Sequence, residues 1–311
     1  MDRPSRKAWR LIAALAAACS AAPTALSSFP GQRAYDEENV SAMVANSALL
    51  FTAEISSADT VCVGDQSRVY VQVESADSWW AFPPDDIPMR IVCVDLPGCA
   101  GMVDASRPTG FRPGQRYLFL CGRDWSWESH RFLDELYVPV QGLLCMTGPV
   151  DFEFCTGGYS FTFPDPGQAL REACQTIALD RQMADADLVV VAKEFRVPGQ
   201  EDPSRRVQMR DGTRCTVAKV VKGDQAPSSI EINLHGATDT GLGWSPMVSG
   251  PDVALLFLGR GDDGLALLHG AKSCFLLHDS VIYSNHGLPM GAKLDGHNIV
   301  GWSSSGILNP N

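Results

Sequence analysis

One spacing constrains this chain more than any other feature. Asn46-Ser47-Ala48-Leu49-Leu50-Phe51-Thr52-Ala53-Glu54 reads against Asp185-Ala186-Asp187-Leu188-Val189-Val190-Val191-Ala192-Lys193, with Ala53 and Ala192 139 positions apart. Gly114-Gln115-Arg116-Tyr117-Leu118-Phe119-Leu120 reads against Pro251-Asp252-Val253-Ala254-Leu255-Leu256-Phe257-Leu258, and the shared Leu-Phe-Leu is offset by 138. Two motifs separated by the same distance in both halves argue for a duplicated domain. A chain of 311 residues is long enough for two such domains.

Each half has the same coarse grammar. An amphipathic stretch, residues 35–45 in the first half and 168–183 in the second, leads into an apolar strand of roughly eight residues. Strands follow. Val69, Val71 and Val73 alternate with Tyr70, Gln72 and Glu74, while Val217, Lys219 and Val221 alternate with Ala218 and Val220, the period of two expected of half-buried antiparallel strands. Lys222-Gly223-Asp224 supplies a turn, Ile230, Ile232 and Leu234 a further strand, and Gly259 to Gly264 a hairpin loop between two more. Five or so strands per half predict a small barrel. The expected organisation is a first domain over 34–160, a second over 165–285, and a tail over 286–311 rich in Gly, Ser and Asn with no decisive period.

The first residues address the compartment. Arg3, Arg6, Lys7 and Arg10 precede an apolar run from Leu11 to Ala18, the pattern of a secretory signal over 1–25 and far short of the roughly twenty residues that span a bilayer. Ala16-Ala17-Ala18 before Cys19 satisfies a small-x-small cleavage site and approximates a bacterial lipobox, so Cys19 is a possible lipidation site. The expected location is secreted, or periplasmic and cell-envelope. No transmembrane helix is expected. Ten cysteines without a C-x-x-C pair fit an oxidising compartment better than a zinc ribbon. The 36 acidic against 25 basic side chains, a formal charge of −11, argue against a nucleic-acid-binding surface.

A helix followed by Ala186-Asp187-Leu188-Val189-Val190-Val191-Ala192-Lys193, a strand ending Val221-Lys222-Gly223-Asp224, then Leu255-Leu256-Phe257-Leu258 and Ser273-Cys274-Phe275 resembles the netrin and tissue-inhibitor-of-metalloproteinase (TIMP) module. The resemblance covers 173–283 and, less closely, 40–154, where Ser78-Trp79-Trp80 and Trp125-Ser126-Trp127 sit in insertions. It implies a mainly β chain of two tandem OB-like five-stranded barrels, each preceded by a short helix and tied by disulfides. In the TIMPs the free amine and carbonyl of an N-terminal cysteine chelate a protease's zinc. Cys174, 13 residues before Asp187, stands where that cysteine is expected, but its nitrogen is a peptide amide inside the chain. The resemblance therefore favours a structural Cys174–Cys274 disulfide, with Cys215 left over as a small buried hydrophobe. Cys62, Cys93, Cys99, Cys121, Cys145 and Cys155 in the first half are further disulfide candidates, and six cysteines allow 15 pairings. Metalloproteinase inhibition would need Cys19 as an unblocked first residue.

Other motifs carry less. Gly259 to Gly264 matches G-x-G-x-x-G, yet Asp262 and Asp263 would repel a pyrophosphate and no helix follows, so it reads as a turn. Arg260-Gly261-Asp262 within it is an adhesion tripeptide elsewhere and a common hairpin tip. The six histidines show no H-E-x-x-H or His-x-His spacing, and Glu128, Asp134 and Glu135 read as a solvated acidic cluster. Neither a catalytic constellation, a metal site nor a cofactor is expected. Trp79, Trp80, Trp125 and Trp127 have two readings: a binding surface for a polypeptide or glycan, or indoles that close a barrel end and pack together. The function expected is a non-enzymatic secreted binding protein, with a lipid-anchored envelope component as the alternative.

Overall fold

The computed structural model describes residues 33–35, 37–63, 66–82, 91–94, 114–126, 128–129, 131–139, 142–147, 152–154, 159–161, 165–224, 226–234, 245–261 and 264–302. Cys19, Cys99, Cys155, Trp127, Asp262 and Asp263, and the side chains of Cys62, Cys93 and Asp134, lie outside the described residues.

The first half runs β1 (Arg33–Tyr35), α1 (Glu37–Asn46), β2 (Leu49–Val63), β3 (Gln66–Trp80), β4 (Ile91–Val94), β5 (Arg116–Ser126), β6 (Arg131–Pro139), β7 (Leu143–Met146), β8 (Phe152–Phe154) and β9 (Tyr159–Phe161). The second runs α2 (Pro166–Ile177), α3 (Leu179–Asp185), β10 (Leu188–Arg196), β11 (Val207–Gln208), β12 (Thr213–Lys222), β13 (Ser229–Asn233), β14 (Met247–Val248), β15 (Ala254–Gly261) and β16 (Gly264–Leu267). After a 3-10 turn over Gly270–Ser273 come β17 (Cys274–His278), β18 (Val281–Tyr283), β19 (Pro289–Asp295) and β20 (Asn298–Val300). The chain is mainly β.

In the second half, β10, β12, β13, β16 and β15 pair in that order, and β15 returns to β10, which closes a five-stranded barrel. The corresponding pairings in the first half run β2-β3-β4-β6-β5 and close through β2–β5. In each ring the third and fifth strands are parallel, β4 with β6 and β13 with β16, and the other neighbours are antiparallel. Two more strands extend each fourth strand in the same order, β7-β8 and β17-β18.

The repeat differs in register from its sequence trace. Leu49 pairs with Cys121 and Leu188 with Leu258. Laying Leu49 on Leu188, 139 positions on, lays Cys121 on Leu258 at a spacing of 137. The Leu-Phe-Leu match at 138 is thus one residue out of register, and a one-residue slip exchanges the two faces of a strand. Phe119 stacks on Phe51, with ring centroids 4.9 Å apart. Phe257 instead lies edge-on to Phe275 at 5.5 Å, on the opposite face of its strand from Leu256 and Leu258. Two apolar strands can match letter for letter and still present opposite faces.

Residues Gln32–Asn311 form one compact unit. Leu188, Val190 and Ala192 join Ile230, Ile232, Leu256 and Leu258 in a core of the second ring. The intervening Val189 and Val191 join Leu255, Phe257 and Phe275 in a larger core that also takes Leu49, Leu50, Phe51, Trp80 and Phe119 from the first half. β10 therefore reads as an unbroken apolar run because both of its faces are buried.

Helix positions follow their caps. The Asp165 carboxylate accepts the Gln168 N–H at 2.8 Å and Pro166 opens α2, whose Leu170, Cys174 and Ile177 repeat at helical spacing on the buried face. The single helix expected over 168–183 is broken: Ala178 is extended (φ −60°, ψ 142°), and a second helix starts at Leu179. The break lets the buried Gln182 donate to the Ile177 carbonyl (2.6 Å) and the Lys272 carbonyl (2.9 Å) while accepting from Ser273 Oγ (2.6 Å). The tail expected to lack a decisive period carries two strands, β19 and β20. β19 and β20 form a hairpin that continues the second sheet, and Trp302 packs edge-on against Trp80 at 6.3 Å. Among the described residues no helix is long and apolar enough to cross a membrane.

Candidate functional site

The open end of the second ring holds a cavity of about 240 Å³, lined by Leu188, Asp224, Ala226, Pro227, Arg260, Gly261, Gly264 and Leu265. Its walls come from the start of β10, the turn after β12 and the β15–β16 hairpin. Asp187 fixes these parts together, its carboxylate accepting the Arg260 backbone N–H at 2.7 Å. Gly223 has a left-handed backbone (φ 102°), and a Cβ there would stand 2.7 Å from the Asp187 carbonyl. The expected Lys222-Gly223-Asp224 turn thus needs glycine for close approach as well as for its dihedral. The hairpin is tighter than the sequence reading, with Gly261 opposite Gly264. Leu188 and Leu265 supply an apolar floor, and Arg260 and Asp224 stand exposed at the rim.

A second polar centre lies between the two sheets. Lys272, only 3% exposed, donates from Nζ to the Ser47 carbonyl and stands 4.4 Å from the centre of the Trp80 ring. Burial pushes its ammonium down to about 7, against an opposing pull from Cys174. Nearby, Arg123 donates to the Leu133 carbonyl (2.7 Å) and to the His286 carbonyl (2.6 Å), a bond from the first half into the second. Arg206 pairs with Asp252 at 3.3 Å and lies 5.8 Å from the rings of both Trp125 and Phe132. Burial, with Lys272, Arg123 and Arg206 close by, pushes His286 down to about 3 and keeps it neutral. This layer joins the halves.

Of the two readings of the tryptophans, the burial of Trp79, Trp80 and Trp125 fits the one in which the indoles pack inside the fold. Trp79 (9% exposed), Trp80 (2%) and Trp125 (9%) are buried and present no binding surface. Trp79 meets Phe152 at 6.2 Å, Trp80 meets Phe275 at 5.8 Å, and Trp125 meets Phe132 at 4.9 Å. The reason is size: an indole buries more apolar area than any other side chain when an opposing sheet is available.

The cysteine expectation is corrected. Cys174 and Cys274 are buried free thiols and the disulfide between them is not formed. Cys174 lies in α2, facing the shared core with Lys272, whereas Cys274 lies in the core of the second ring beside Cys215 and Asn285. Burial raises the thiols of Cys174, Cys215 and Cys274 to about 12, which leaves them protonated and weakly nucleophilic. Cys121 and Cys145 are buried on β5 and β7. The Cys174 nitrogen is a helical amide, so it offers no lone pair to a protease's zinc. Among the described residues no three metal-binding side chains converge.

Sequence reading missed Lys272, Arg260 and Asp224 as site residues. A single lysine amid the apolar run from Leu265 to Leu277 was the available signal for the first. The other two become neighbours only when the ring closes.

No protein-family model and no curated protein matches the chain. A solved structure described as "Structural mimicry for functional antagonism" aligns at 12% identity over 75% of this chain and 95% of that one, with a TM-score of 0.18. At that score the likeness carries no argument about fold or function.

Proposed function

We propose that this chain is a secreted, non-enzymatic binding protein made of two tandem OB-like modules of the TIMP and netrin type, each with its preceding helix. The observation that carries the reading is the strand order shared by the two rings, first-second-third-fifth-fourth and back to the first, with the third and fifth strands parallel. That order is the Greek-key plan of the OB fold. Such barrels bind polymers through their loops and sheet face, and the ligand class proposed is a polypeptide or a surface glycan. The fold by itself does not assign a ligand. The site lies in a secreted or periplasmic setting, consistent with the basic and then apolar start of the chain.

The test is capture by the immobilised mature protein from separate extracellular protein and glycan fractions, with a heat-denatured sample as control. Saturable retention of one fraction by the folded protein alone supports the reading. Turnover of a retained component, or no retention, contradicts it.

A second reading rests on Ala16-Ala17-Ala18-Cys19: an envelope component held by lipid at Cys19. Mass spectrometry of the mature N-terminus separates the two, since a diacylglycerol adduct on Cys19 requires anchoring and an unmodified terminus excludes it.

A further inference from the structure

The outer face of the second ring carries a row of charges that the fold leaves unbalanced. Arg196 on β10 stands opposite Arg214 on β12, and Arg214 stands opposite Glu231 on β13. Residues directly opposite one another project from the same side of a sheet, so the three side chains form one row across three strands. All three residues are exposed. Arg214 Nε donates to the Glu231 carboxylate at 2.9 Å, which leaves one guanidinium in excess. Among the described residues, the Arg196 guanidinium has neither a hydrogen bond nor an ion pair.

A bulge creates the row. Lys193 pairs with Thr216 and Arg196 with Arg214, so three steps along β10 match two along β12. Within the bulge Glu194 takes a left-handed backbone (φ 56°), which side chains other than glycine's rarely adopt. The extra residue turns Phe195 into the core of the second ring and brings Arg196 out beside Arg214. Like charges directly opposite are unfavourable. An anion lying between the two guanidiniums removes that penalty, and their forked donors suit the paired oxygens of a carboxylate or sulfate.

The surroundings set the class of ligand. Thr216 and Ser229, two residues along from Arg214 and Glu231, lie opposite each other on the same face and flank the row with hydroxyls. The nearby acids have partners of their own. Glu194 accepts from Thr216 Oγ1 at 2.8 Å with Lys193 Nζ 4.0 Å away, and Asp211 accepts the Leu234 N–H at 2.6 Å. These side chains make a flat polar surface, whereas binding of a peptide relies on anchors seated in desolvated pockets. The formal charge of −11 on the whole chain repels a polyanion elsewhere, so the row is where one can settle.

We propose that this face binds an acidic glycan, with its anionic oxygens bridging Arg196 and Arg214 and its hydroxyls on Thr216 and Ser229. The inference rests on the binding-protein reading and names its ligand and its surface.

The experiment is a fluorescence-anisotropy titration of the mature protein with labelled oligogalacturonate, run beside labelled neutral dextran and labelled poly-L-glutamate. Oligogalacturonate is expected to bind saturably at low ionic strength and to be released in about 0.5 M salt. Dextran should not bind, and poly-L-glutamate should bind more weakly. Arg196→Gln should weaken oligogalacturonate binding roughly two- to fivefold, the size of one exposed ion pair, and Arg196→Glu should abolish it. Arg181→Gln, on α3 at the other end of β10, should leave the affinity unchanged. Without ligand, Arg196→Gln should hold or raise the thermal midpoint, because it removes a like-charge pair.

Absence of oligogalacturonate binding overturns the proposal, as does wild-type affinity in Arg196→Gln. Equal binding of poly-L-glutamate would point to an acidic peptide, and equal binding of dextran to uncharged sugar; either overturns it too. A lowered midpoint in unliganded Arg196→Gln would mean that the guanidinium serves the fold instead. Should Arg196→Glu still capture the same extracellular fraction as the wild type, the binding-protein reading stands and this face is not its site. If neither protein captures anything, both fail.

Discussion

The two rings share a pairing plan but not a way of burying their apolar residues. In the second, Leu188, Val190 and Ala192 turn into a core that belongs to that half alone, while Val189 and Val191 turn toward the first half. In the first, Leu49, Leu50, Phe51, Ala53 and Ile55 all belong to the core shared with the second half. Among the described residues, rings of one pairing plan therefore divide their apolar contacts unequally: those of the second ring form a core of their own, and those of β2 join the core shared with the second half. Trp80, Lys272 and the Arg123 bond to the His286 carbonyl form the joint.

Separating the halves should have the largest effect. Residues 32–164 alone are expected to remain unfolded, while 165–302 keep a β-sheet spectrum but self-associate through the uncovered Val189, Val191, Phe257 and Phe275. Circular dichroism with size-exclusion chromatography reads both outcomes. A monomeric, folded first half would end the comparison.

Next in size is Trp80→Ala, which removes the ring that meets Phe275, Trp302 and Lys272. A cavity of that kind costs about 3–5 kcal/mol, and chemical denaturation should show it as a lower midpoint. The loss should be greatest for probes in the first ring.

The pH dependence is smaller and has a definite sign. The folded chain releases the Lys272 proton near 7 whereas the unfolded chain holds it to about 10.5, so between those values the unfolded state binds more protons and stability rises with pH. The three buried thiols act the other way from 9 to about 12, because the folded state then retains their protons. Stability should climb by about 2–3 kcal/mol from pH 7 to 9, at 1.36 kcal/mol per unit for one proton, then fall. Lys272→Met should flatten the climb. On the acid side His286 resists protonation until about 3, so its contribution is lost progressively as pH drops below 6.5. A urea-melt series across pH 3 to 11 measures every limb.

Gln182→Ala should cost about 1–3 kcal/mol, since it leaves the buried Ile177 and Lys272 carbonyls without their donor. At the exposed rim, Asp224→Asn should change stability by less than about 0.5 kcal/mol, so a larger loss there would mean that the carboxylate supports the fold.

What the sequence made legible follows the same division. The segments 46–54 and 185–193 are legible because both carry continuous apolar runs, and both lead into ring strands, β2 and β10. The tail hairpin was illegible because Pro289 to Asp295 buries mainly Met290 and Ala292, which is too little apolar content for a period. The tryptophans left two readings open because burial can depend on distant parts of the chain: Trp80 is covered by Phe275 and Trp302, residues 195 and 222 positions away. Cys174 and Cys274 looked like partners only by position in a family pattern, and the fold assigns them to different cores. The cavity was hidden for a related reason, since Asp224 and Arg260 lie on separate turns that ring closure brings together.

Native-state hydrogen exchange on the mature chain tests the unequal partnership most directly, because it reports opening strand by strand. If the first ring leans on the second, amides of β2 and β5 will exchange through openings of no higher free energy than those of β10 and β15, and Trp80→Ala will lower the first pair more than the second. If β2 and β5 stay protected after β10 and β15 have exchanged, the first ring stands on its own core and the account is wrong.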